Sequence, residues 1–474
     1  MFGLSTELSL LLFACLLAAC CFEFINGFHD TANAVATVIY TRSMKPTYAV
    51  VWSGIWNFIG VYVGGIAVAM GIVNLLSNTV LIDQNIYHSV AMILSLVITA
   101  ILWNLGTWYI GLPCSSSHTL IGSIFGVGLA YLLIPDSGEI ALNWSKVKDA
   151  GLSLLTSPVI GFGLAIGVMA LLKKYSKKNL KELLFEEQHK HKHPPFWIRL
   201  ILILTSTILS FSHGSNDGQK GVGLIMIILI AFIPAEFAID SNKSLQNLSD
   251  RVIMMENTIS KVALMNSAIE DKLICQLIKE KLTNVRNNLD KVHSFDSLKQ
   301  GASLEIRKDI IVVSREVNNL LSPKYEQLAL VVSKEDKHIL KRGVSYLKTY
   351  TEYTPWWVIV MISMSLGLGT MIGWKRIVIT VGEKIGKTPL SYAQGASANL
   401  VAAGTIGLST LLGLPVSTTH VLSSGVGGSM VATKGIKNLR MKTVRSILVA
   451  WLITLPVTIV LSGAIFLLFR FLFK

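Results

Sequence analysis

Four polar clusters interrupt the long apolar stretches of this chain, and each contains residue types that can bind an ion. The first, residues 26–34 (Asn-Gly-Phe-His-Asp-Thr-Ala-Asn-Ala), holds Asp30 in an otherwise apolar run. An ionisable side chain in such a run is costly unless it is paired or hydrated, so Asp30 is a candidate functional residue. Gly27 and its small neighbours predict a broken helix here. The half-helix after the break would direct free N–H groups and a positive dipole end at an anion.

The second cluster, residues 212–221 (Ser-His-Gly-Ser-Asn-Asp-Gly-Gln-Lys-Gly), repeats the first. Asp217 corresponds to Asp30, and Asn216 precedes it as a further candidate ligand. Three roles remain open for Lys220: pairing with Asp217, binding the anion, or reaching water from a helix end. Three residues of these two clusters are predicted to lie around the binding residues and support them: His29, Gln219 and Lys220.

The third and fourth clusters are Gly-Leu-Pro-Cys-Ser-Ser-Ser-His at 111–118 and Gly-Leu-Pro-Val-Ser-Thr-Thr-His at 413–420. At the tip of a helical hairpin, such hydroxyls and the adjacent backbone N–H groups converge as donors for a tetrahedral oxyanion. The alternative is that the hydroxyls bond to carbonyls of their own helix, but recurrence at equivalent positions favours binding. The predicted binding residues are Ser115, Ser116, Ser117, Ser417, Thr418 and Thr419, and the two histidines, His118 and His420, have either a supporting or a structural role.

Composition places these clusters in a membrane. Of the 474 residues, 52% are hydrophobic and 15% charged, and the mean hydropathy is +0.57, whereas soluble domains carry about 25% charged residues. Apolar runs long enough to span a bilayer cover most of the chain outside 174–195 and 239–350. The net charge of +14 is explained by contact with lipid headgroups, so no nucleic-acid partner is expected. The five cysteines lack metal-ligand spacing, and neither a metal nor a cofactor is predicted.

The internal repeat predicts the architecture. Asp217 follows Asp30 by 187 residues and Gly413 follows Gly111 by 302, and the difference matches the length of the polar stretch 239–350. Each copy contains five candidate crossings, and an odd number requires that the second copy be inverted. The predicted fold is therefore an all-α polytopic membrane protein with two inverted repeats, broken helices, helical hairpins and one soluble helical insert. The ten predicted crossings are 8–40, 47–74, 88–112, 115–135, 149–173, 196–238, 354–375, 388–412, 415–433 and 443–472.

Lysine and arginine residues of the short loops indicate orientation. They concentrate on one side when both termini are placed outside, in agreement with the positive-inside rule. The chain is accordingly expected to be a multi-pass membrane protein with both termini outside. The predicted segments are repeat 1 (1–175), a basic cytoplasmic linker (176–195), the first part of repeat 2 (196–238), a periplasmic helical insert (239–350) and the remainder of repeat 2 (351–474).

These motifs resemble those of the inorganic phosphate transporter (Pit) family. Residues 27–34 are similar to its Gly-Ala-Asn-Asp-Val-Ala-Asn-Ala signature, and residues 111–118 and 413–420 to its Gly-Leu-Pro-x-Ser-[Ser/Thr]-[Ser/Thr]-His signature. The resemblance covers the chain except 239–350, and is strongest to bacterial low-affinity, proton-coupled permeases of the inner membrane. It therefore implies the bacterial inner membrane, with both termini in the periplasm. It departs at Phe28-His29, where the family has Ala-Asn, and in the Gly-Gln-Lys-Gly after Asp217.

The resemblance implies import of inorganic phosphate, alone or as a neutral complex with a divalent cation. It implies that protons drive transport, because Asn57 and Asn399 stand where sodium-coupled relatives carry glutamates. The aspartates would bind both phosphate and the coupling ion, and Asn57 and Asn399 would lie near that ion. The substrate ligands implied in the first motif and its copy are Asp30, Asn33, Asn216 and Asp217.

Other functions remain as alternatives. A sulfate permease of the same architecture is one, although sulfate offers no proton to a carboxylate near pH 7. A sodium-coupled phosphate symporter is another. A channel is disfavoured because selectivity filters usually follow oligomer symmetry. An enzyme is not expected, since Ser and His are sequence neighbours without a nucleophile elbow. Both a monomer and a homodimer remain open.

Overall fold

The computed structural model describes residues 4–76, 85–134, 142–185, 193–265, 269–292, 294, 295, 298, 300–322 and 332–473. Within these ranges the chain is helical, with two isolated β-bridges, Leu76–Leu142 and Gly386–Leu439. The chain forms two compact units. One contains the sequence up to Ile228 together with the sequence from Thr354 onward, and the other contains Leu229–Tyr353.

The described residues of the first half of the larger unit form six apolar helices. They are α1 (Thr6–Tyr40), α2 (Pro46–Val63), α3 (Ala67–Val73), α4 (Ile86–Tyr109), α5 (Ser116–Tyr131) and α6 (Trp144–Tyr175). The polar connection that follows includes α7 (Lys178–Phe185). The next helices are α8 (Phe196–His213) and α9 (Gln219–Phe232), joined without interruption by a π-helical turn at Gly214–Gly218.

The smaller unit is a helical bundle with its own apolar core. Its helices are α10 (Pro234–Phe237), α11 (Leu245–Met265), α12 (Ile269–Leu289), α13 (Gln300–Leu320) and α14 (Lys334–Thr351). Arg307 is buried in this core and donates to the carbonyls of Ala238 (3.1 Å) and Thr351 (2.6 Å), so it links the two ends of the unit. Burial lowers the pKa of Arg307 to about 10.

The chain then returns to the larger unit. The helices there are α15 (Trp356–Thr370), α16 (Lys375–Ile379) with a π-helical extension at Thr380–Lys384, α17 (Tyr392–Leu411), α18 (Thr418–Lys434) and α19 (Met441–Leu472). Helices of the two halves correspond in order and in contacts. α1 packs on α15 as α8 packs on α2, and α5 packs on α19 as α18 packs on α6.

Among the described residues, five helices have the length and apolarity of a membrane span, and seven do if each bent pair is counted as one span. The sequence predicted ten crossings. α5 and α18 have only 16 and 17 residues, which at ~1.5 Å per residue is shorter than the ~30 Å hydrocarbon layer. α17 is long enough, but it is rich in Gly, Ala, Ser and Asn. These three helices are therefore not spans by length and composition.

The helix break predicted at residues 26–34 is wrong, because α1 continues through this cluster. Gly27 instead allows a close helix crossing: a Cβ there would lie 2.5 Å from the Leu366 carbonyl oxygen of α15. Gly214, its counterpart, would place a Cβ 2.2 Å from the Asn57 carbonyl oxygen of α2. Small residues at helix interfaces permit such approaches. The bends occur elsewhere, at 72° between α2 and α3 and 57° between α15 and α16.

Candidate functional site

The N-termini of α5 and α18 form one wall of the site. The helices before them, α4 and α17, are followed two residues later by Gly111 (φ +69°) and Gly413 (φ +67°), where the left-handed conformation favours glycine. A Leu-Pro-x segment then leads to Ser115 and Ser417, which are the N-caps of α5 and α18. Their hydroxyls accept from the N–H groups three residues on, at 3.1 and 3.2 Å. The Gly-Leu-Pro-x-Ser motif thus ends one helix and begins the next, and it brings the other hydroxyls to the tip.

Asp30 of α1 joins both tips. Its carboxylate accepts from Ser116 at 2.8 Å and from Thr419 at 2.5 Å. Ser116 belongs to the first half of the chain and Thr419 to the second. His29 Nδ1 lies 3.1 Å from the carboxylate, and its other ring nitrogen lies 3.3 Å from Thr107 of α4. Asp30 is 1% exposed, so its charge depends on these partners.

Asp217 of the π-helical turn has a similar setting in the second half. Thr418 donates to its Oδ2 at 2.7 Å, and His213 Nε2 lies 3.0 Å from the same oxygen. Its other oxygen pairs with the ammonium of Lys220. Asp217 is fully buried. Both aspartates therefore accept the hydroxyl of the first residue of the α5 or α18 helix in their own half of the chain.

Lys220 spans the centre of the site. Its ammonium donates to the Asp217 carboxylate, to the hydroxyl of Ser117 and, at 2.8 Å, to the carbonyl of Val416. These three acceptors use the three N–H donors of an ammonium group. The side chain is 2% exposed, which excludes the sequence-based alternative of a lysine that reaches water. Ser117 in turn donates to the Val416 carbonyl at 2.8 Å.

The two motif histidines lie side by side behind the tips. The ring centroids of His118 and His420 are 4.5 Å apart, and His420 stacks on Trp451 at 3.9 Å. His118 Nδ1 lies 2.9 Å from the hydroxyl of Ser115. Equivalent residues meet in this way when two copies pack around a common axis. The pair holds the two tips against each other.

The side chains of Asn216 and Gln219 form hydrogen bonds that fix nearby turns, and they do not face the carboxylates of Asp30 and Asp217. Asn216 donates to Thr410 at 3.0 Å and to the Leu414 carbonyl at 3.3 Å, which fixes the turn before α18. Gln219 donates to the carbonyls of Gly64 and Ser215, both at 2.7 Å, and accepts from the N–H of residue 68 at 2.8 Å. It therefore fastens the bend between α2 and α3. The side chain of Asn33 lies outside the described residues.

The two asparagines assigned to the coupling ion have unequal positions. Asn57 Oδ1 lies 3.1 Å from His213 Nδ1, so Asn57 is one side chain away from Asp217. Its amide donates to Thr370 at 2.9 Å. Asn399 donates to Thr37 of α1 at 2.7 Å. The structure brings Asn57 to the edge of the site and pairs Asn399 with α1.

Two buried ionisable residues were missed by the sequence reasoning. His213 contacts Asp217, and its ligand atom lies within 4.8 Å of those of Asp30 and Asp217, a grouping that could hold a cation. Glu23 of α1 is fully buried and accepts from Asn26 at 3.1 Å. The rule that marks intramembrane ionisable residues as functional would have found both, since each interrupts an apolar run.

Comparisons with known proteins identify the family to which the chain is similar. A model described as the phosphate transporter family matches residues 26–462. The low-affinity inorganic phosphate transporter PitB of Escherichia coli (strain K12) is 41% identical over 493 residues, covering 98% of this chain and 97% of its own. The low-affinity inorganic phosphate transporter of Buchnera aphidicola subsp. Acyrthosiphon pisum is 39% identical over 480 residues, covering 97% and 96%. A solved structure, the sodium-dependent phosphate transporter, is similar with a TM-score of 0.54 at 20% identity, covering 97% of this chain and 99% of its own.

Proposed function

Because the chain belongs to the phosphate transporter family, we propose that it imports inorganic phosphate by proton symport through the site between the two hairpin tips. The name of the 41% identical relative supports phosphate as the substrate. The tips supply the hydroxyls of Ser116, Thr418 and Thr419 together with the first N–H groups of α5 and α18, which a helix leaves without internal partners. A helix N-terminus is a favourable place for a phosphate group.

The observation that carries the coupling is the proximity of the two aspartates. One oxygen of Asp30 and one of Asp217 lie within 4.8 Å of each other. Two unit negative charges at this distance repel by about 3.5 kcal/mol at an effective dielectric constant of about 20, and the ammonium of Lys220 balances only one of them. An entering phosphate anion adds to this repulsion, and so it binds with at least one proton or other cation. Phosphate and the coupling cation therefore enter as a unit.

The hydroxyls exchange partners during binding. In the described state Ser116 and Thr419 donate to Asp30, and Thr418 donates to Asp217. Phosphate takes over these donors. The carboxylates then accept the P–OH hydrogens of the protonated phosphate and the coupling proton. A phosphate P–OH suits a carboxylate acceptor, whereas sulfate, fully deprotonated near pH 7, offers none; this favours phosphate over sulfate.

The arrangement of corresponding helices supports an inverted repeat with alternating access. The paired contacts of α1 with α15 and α8 with α2, and the adjacent histidines of the two tips, are what a pseudo-twofold relation requires. Movement of one set of helices against the other would then open the site to either side. The same reading puts the chain in the inner membrane with both termini, and the insert at 239–350, on the periplasmic side.

A groove between α6 and α17 supplies a route to the site. It has a volume of about 460 Å³, and its lining includes Asp149 and Val416. Its polar lining also includes Ser153, Ser157 and Thr405. Because the carbonyl of Val416 accepts from Lys220, the groove borders on the site.

Uptake of radiolabelled phosphate into proteoliposomes tests the proposal. An inward proton gradient is expected to drive accumulation, and an inward sodium gradient alone to have no effect. Excess unlabelled sulfate is expected to compete weakly. Adding Mg²⁺ to the external medium tests whether a divalent cation travels with phosphate. Accumulation driven only by sodium would favour the coupling ion named for the solved relative of this fold, and full competition by sulfate would favour a sulfate permease.

A further inference from the structure

We infer that Lys220 is a resident cation of the site: its ammonium fills the position of a cation beside Asp217, so that Asp30 alone exchanges the coupling ion. The inference rests on the proposed phosphate transport and assigns unequal roles to the two aspartates. It follows from the ligands of the ammonium, from the difference between the two motif copies and from the burial of the pair.

The ligands of the Lys220 ammonium are those of a bound monovalent cation. They are a carboxylate of the π-helical turn, a hydroxyl of the first tip and a backbone carbonyl of the second tip. Carboxylate and carbonyl oxygens from interrupted helices are typical cation ligands in transporters. The ammonium therefore joins three separate segments, which is the effect that an inorganic cation would have at this place.

The two motif copies differ at this position. Lys220 follows Asp217 by three residues, and the residue three after Asp30 is Asn33. The first copy thus has a neutral residue where the second has a cation. Among the described residues, the hydrogen-bond partners of Asp30 are neutral hydroxyls and His29, whereas Asp217 is paired with a fixed positive charge.

Burial makes this difference functional. Both members of the Lys220–Asp217 pair are 2% exposed or less, and a buried charge that loses its partner is strongly unfavourable. The pair therefore stays closed through the transport cycle, and Asp217 does not need an external cation. No lysine or arginine of the described residues pairs with Asp30, and its charge is balanced when a proton accompanies phosphate. The stoichiometry that follows is one coupling ion at Asp30 for each phosphate.

The substitution Lys220→Asn tests the inference, because it gives the second copy the residue of the first. The full-length protein is reconstituted, and phosphate uptake is measured in choline medium and with added Na⁺, K⁺ or methylammonium. In choline, uptake by the variant is expected to fall by roughly tenfold or more, since Asp217 is left unpaired. An added cation small enough for the vacated position is expected to restore uptake saturably. The wild type and the control Lys173→Asn, which removes an exposed lysine of α6, should not respond.

Thermal unfolding of the same proteins in detergent gives a readout that is independent of transport. The melting temperature of Lys220→Asn is expected to rise with the concentration of the restoring cation. The double variant Asp217→Asn/Lys220→Asn lacks the carboxylate ligand, and its melting temperature should be insensitive to cations. This arm also covers the case in which Lys220→Asn is unstable without a cation.

Three outcomes would overturn the inference. One is wild-type uptake by Lys220→Asn in choline, which would mean that no cation is needed beside Asp217. Another is a folded Lys220→Asn protein for which no cation changes either uptake or melting temperature. The third is a cation response that persists in the double variant. If the wild type transports no phosphate at all, the proposed function fails, while the cation-dependent melting temperature still tests the resident cation.

Discussion

Replacing Asp30 by asparagine should leave phosphate binding in place but uncouple phosphate transport from the proton gradient. The carboxylate accepts two hydroxyl hydrogen bonds, from Ser116 and Thr419. Hydrogen bonds to a charged group contribute about 1.5–3 kcal/mol and neutral ones about 0.5–1.5 kcal/mol. The substitution therefore weakens these two bonds of the empty site by about 2 kcal/mol together, which favours transfer of the two hydroxyls to phosphate by up to roughly thirtyfold. The asparagine amide also cannot take up the coupling proton.

Two assays resolve these effects. Accumulation of phosphate under an inward proton gradient should be lost in Asp30→Asn. Counterflow, in which unlabelled phosphate inside exchanges for labelled phosphate outside, needs no net proton movement. It should persist with the half-saturating phosphate concentration lowered by up to roughly thirtyfold. The control is Asp250→Asn, an exposed aspartate of the smaller unit. Wild-type accumulation by Asp30→Asn at normal expression would refute the assignment of the coupling ion to Asp30.

Three further predictions concern packing, access and pH. Gly27→Ala should lower the stability of the protein in detergent by about 1–3 kcal/mol, because the added Cβ would overlap the backbone of α15. The control Gly106→Ala has open space at the Cβ and should not change the stability. Gly404→Phe should slow phosphate uptake by narrowing the groove between α6 and α17. The control Gly163→Phe, at a position equally open but outside the groove, should not slow it. Equal uptake rates for the two variants would exclude the groove as a route. Hydrogen bonds from a serine and a lysine lower the pKa of Asp336 below its usual 3.8, so its stabilising contribution is present above that pH and is lost as pH falls through the lowered value. The melting-temperature difference between wild type and Asp336→Asn should therefore shrink below about pH 4, and a constant difference would contradict this.

The hairpin tips could be predicted from the sequence because their geometry is local. A glycine that ends a helix, a proline that cannot continue it and a serine that caps the next helix lie within five residues of one another. The repeat of this motif then indicated that Ser116 and Thr418 have equivalent settings. Each does donate to the aspartate of its own half.

The position of the helix breaks could not be predicted, because the same glycine permits a break or a close crossing. Gly27 serves a crossing, and the backbone that requires it is at Leu366, more than three hundred residues away in the sequence. The role of Lys220 was undecided for the same reason. Its acceptors, Ser117 and Val416, come from two hairpin tips whose meeting is a property of the tertiary fold.

The hydrogen bond between Thr419 and Asp30 can form only late in biosynthesis. The two residues are 389 positions apart, and at about 5–20 residues per second a ribosome needs roughly 20 to 80 s to make the intervening chain. During that interval the nascent first half is held in the bilayer with Ser116 as the hydroxyl donor to Asp30, among the described residues, that has already been made. Assembly of the site is thus a late step of biosynthesis rather than an early one. A chain truncated before α18 would leave a half-built protein that carries a buried, incompletely neutralised carboxylate, a suitable mark for membrane proteolysis.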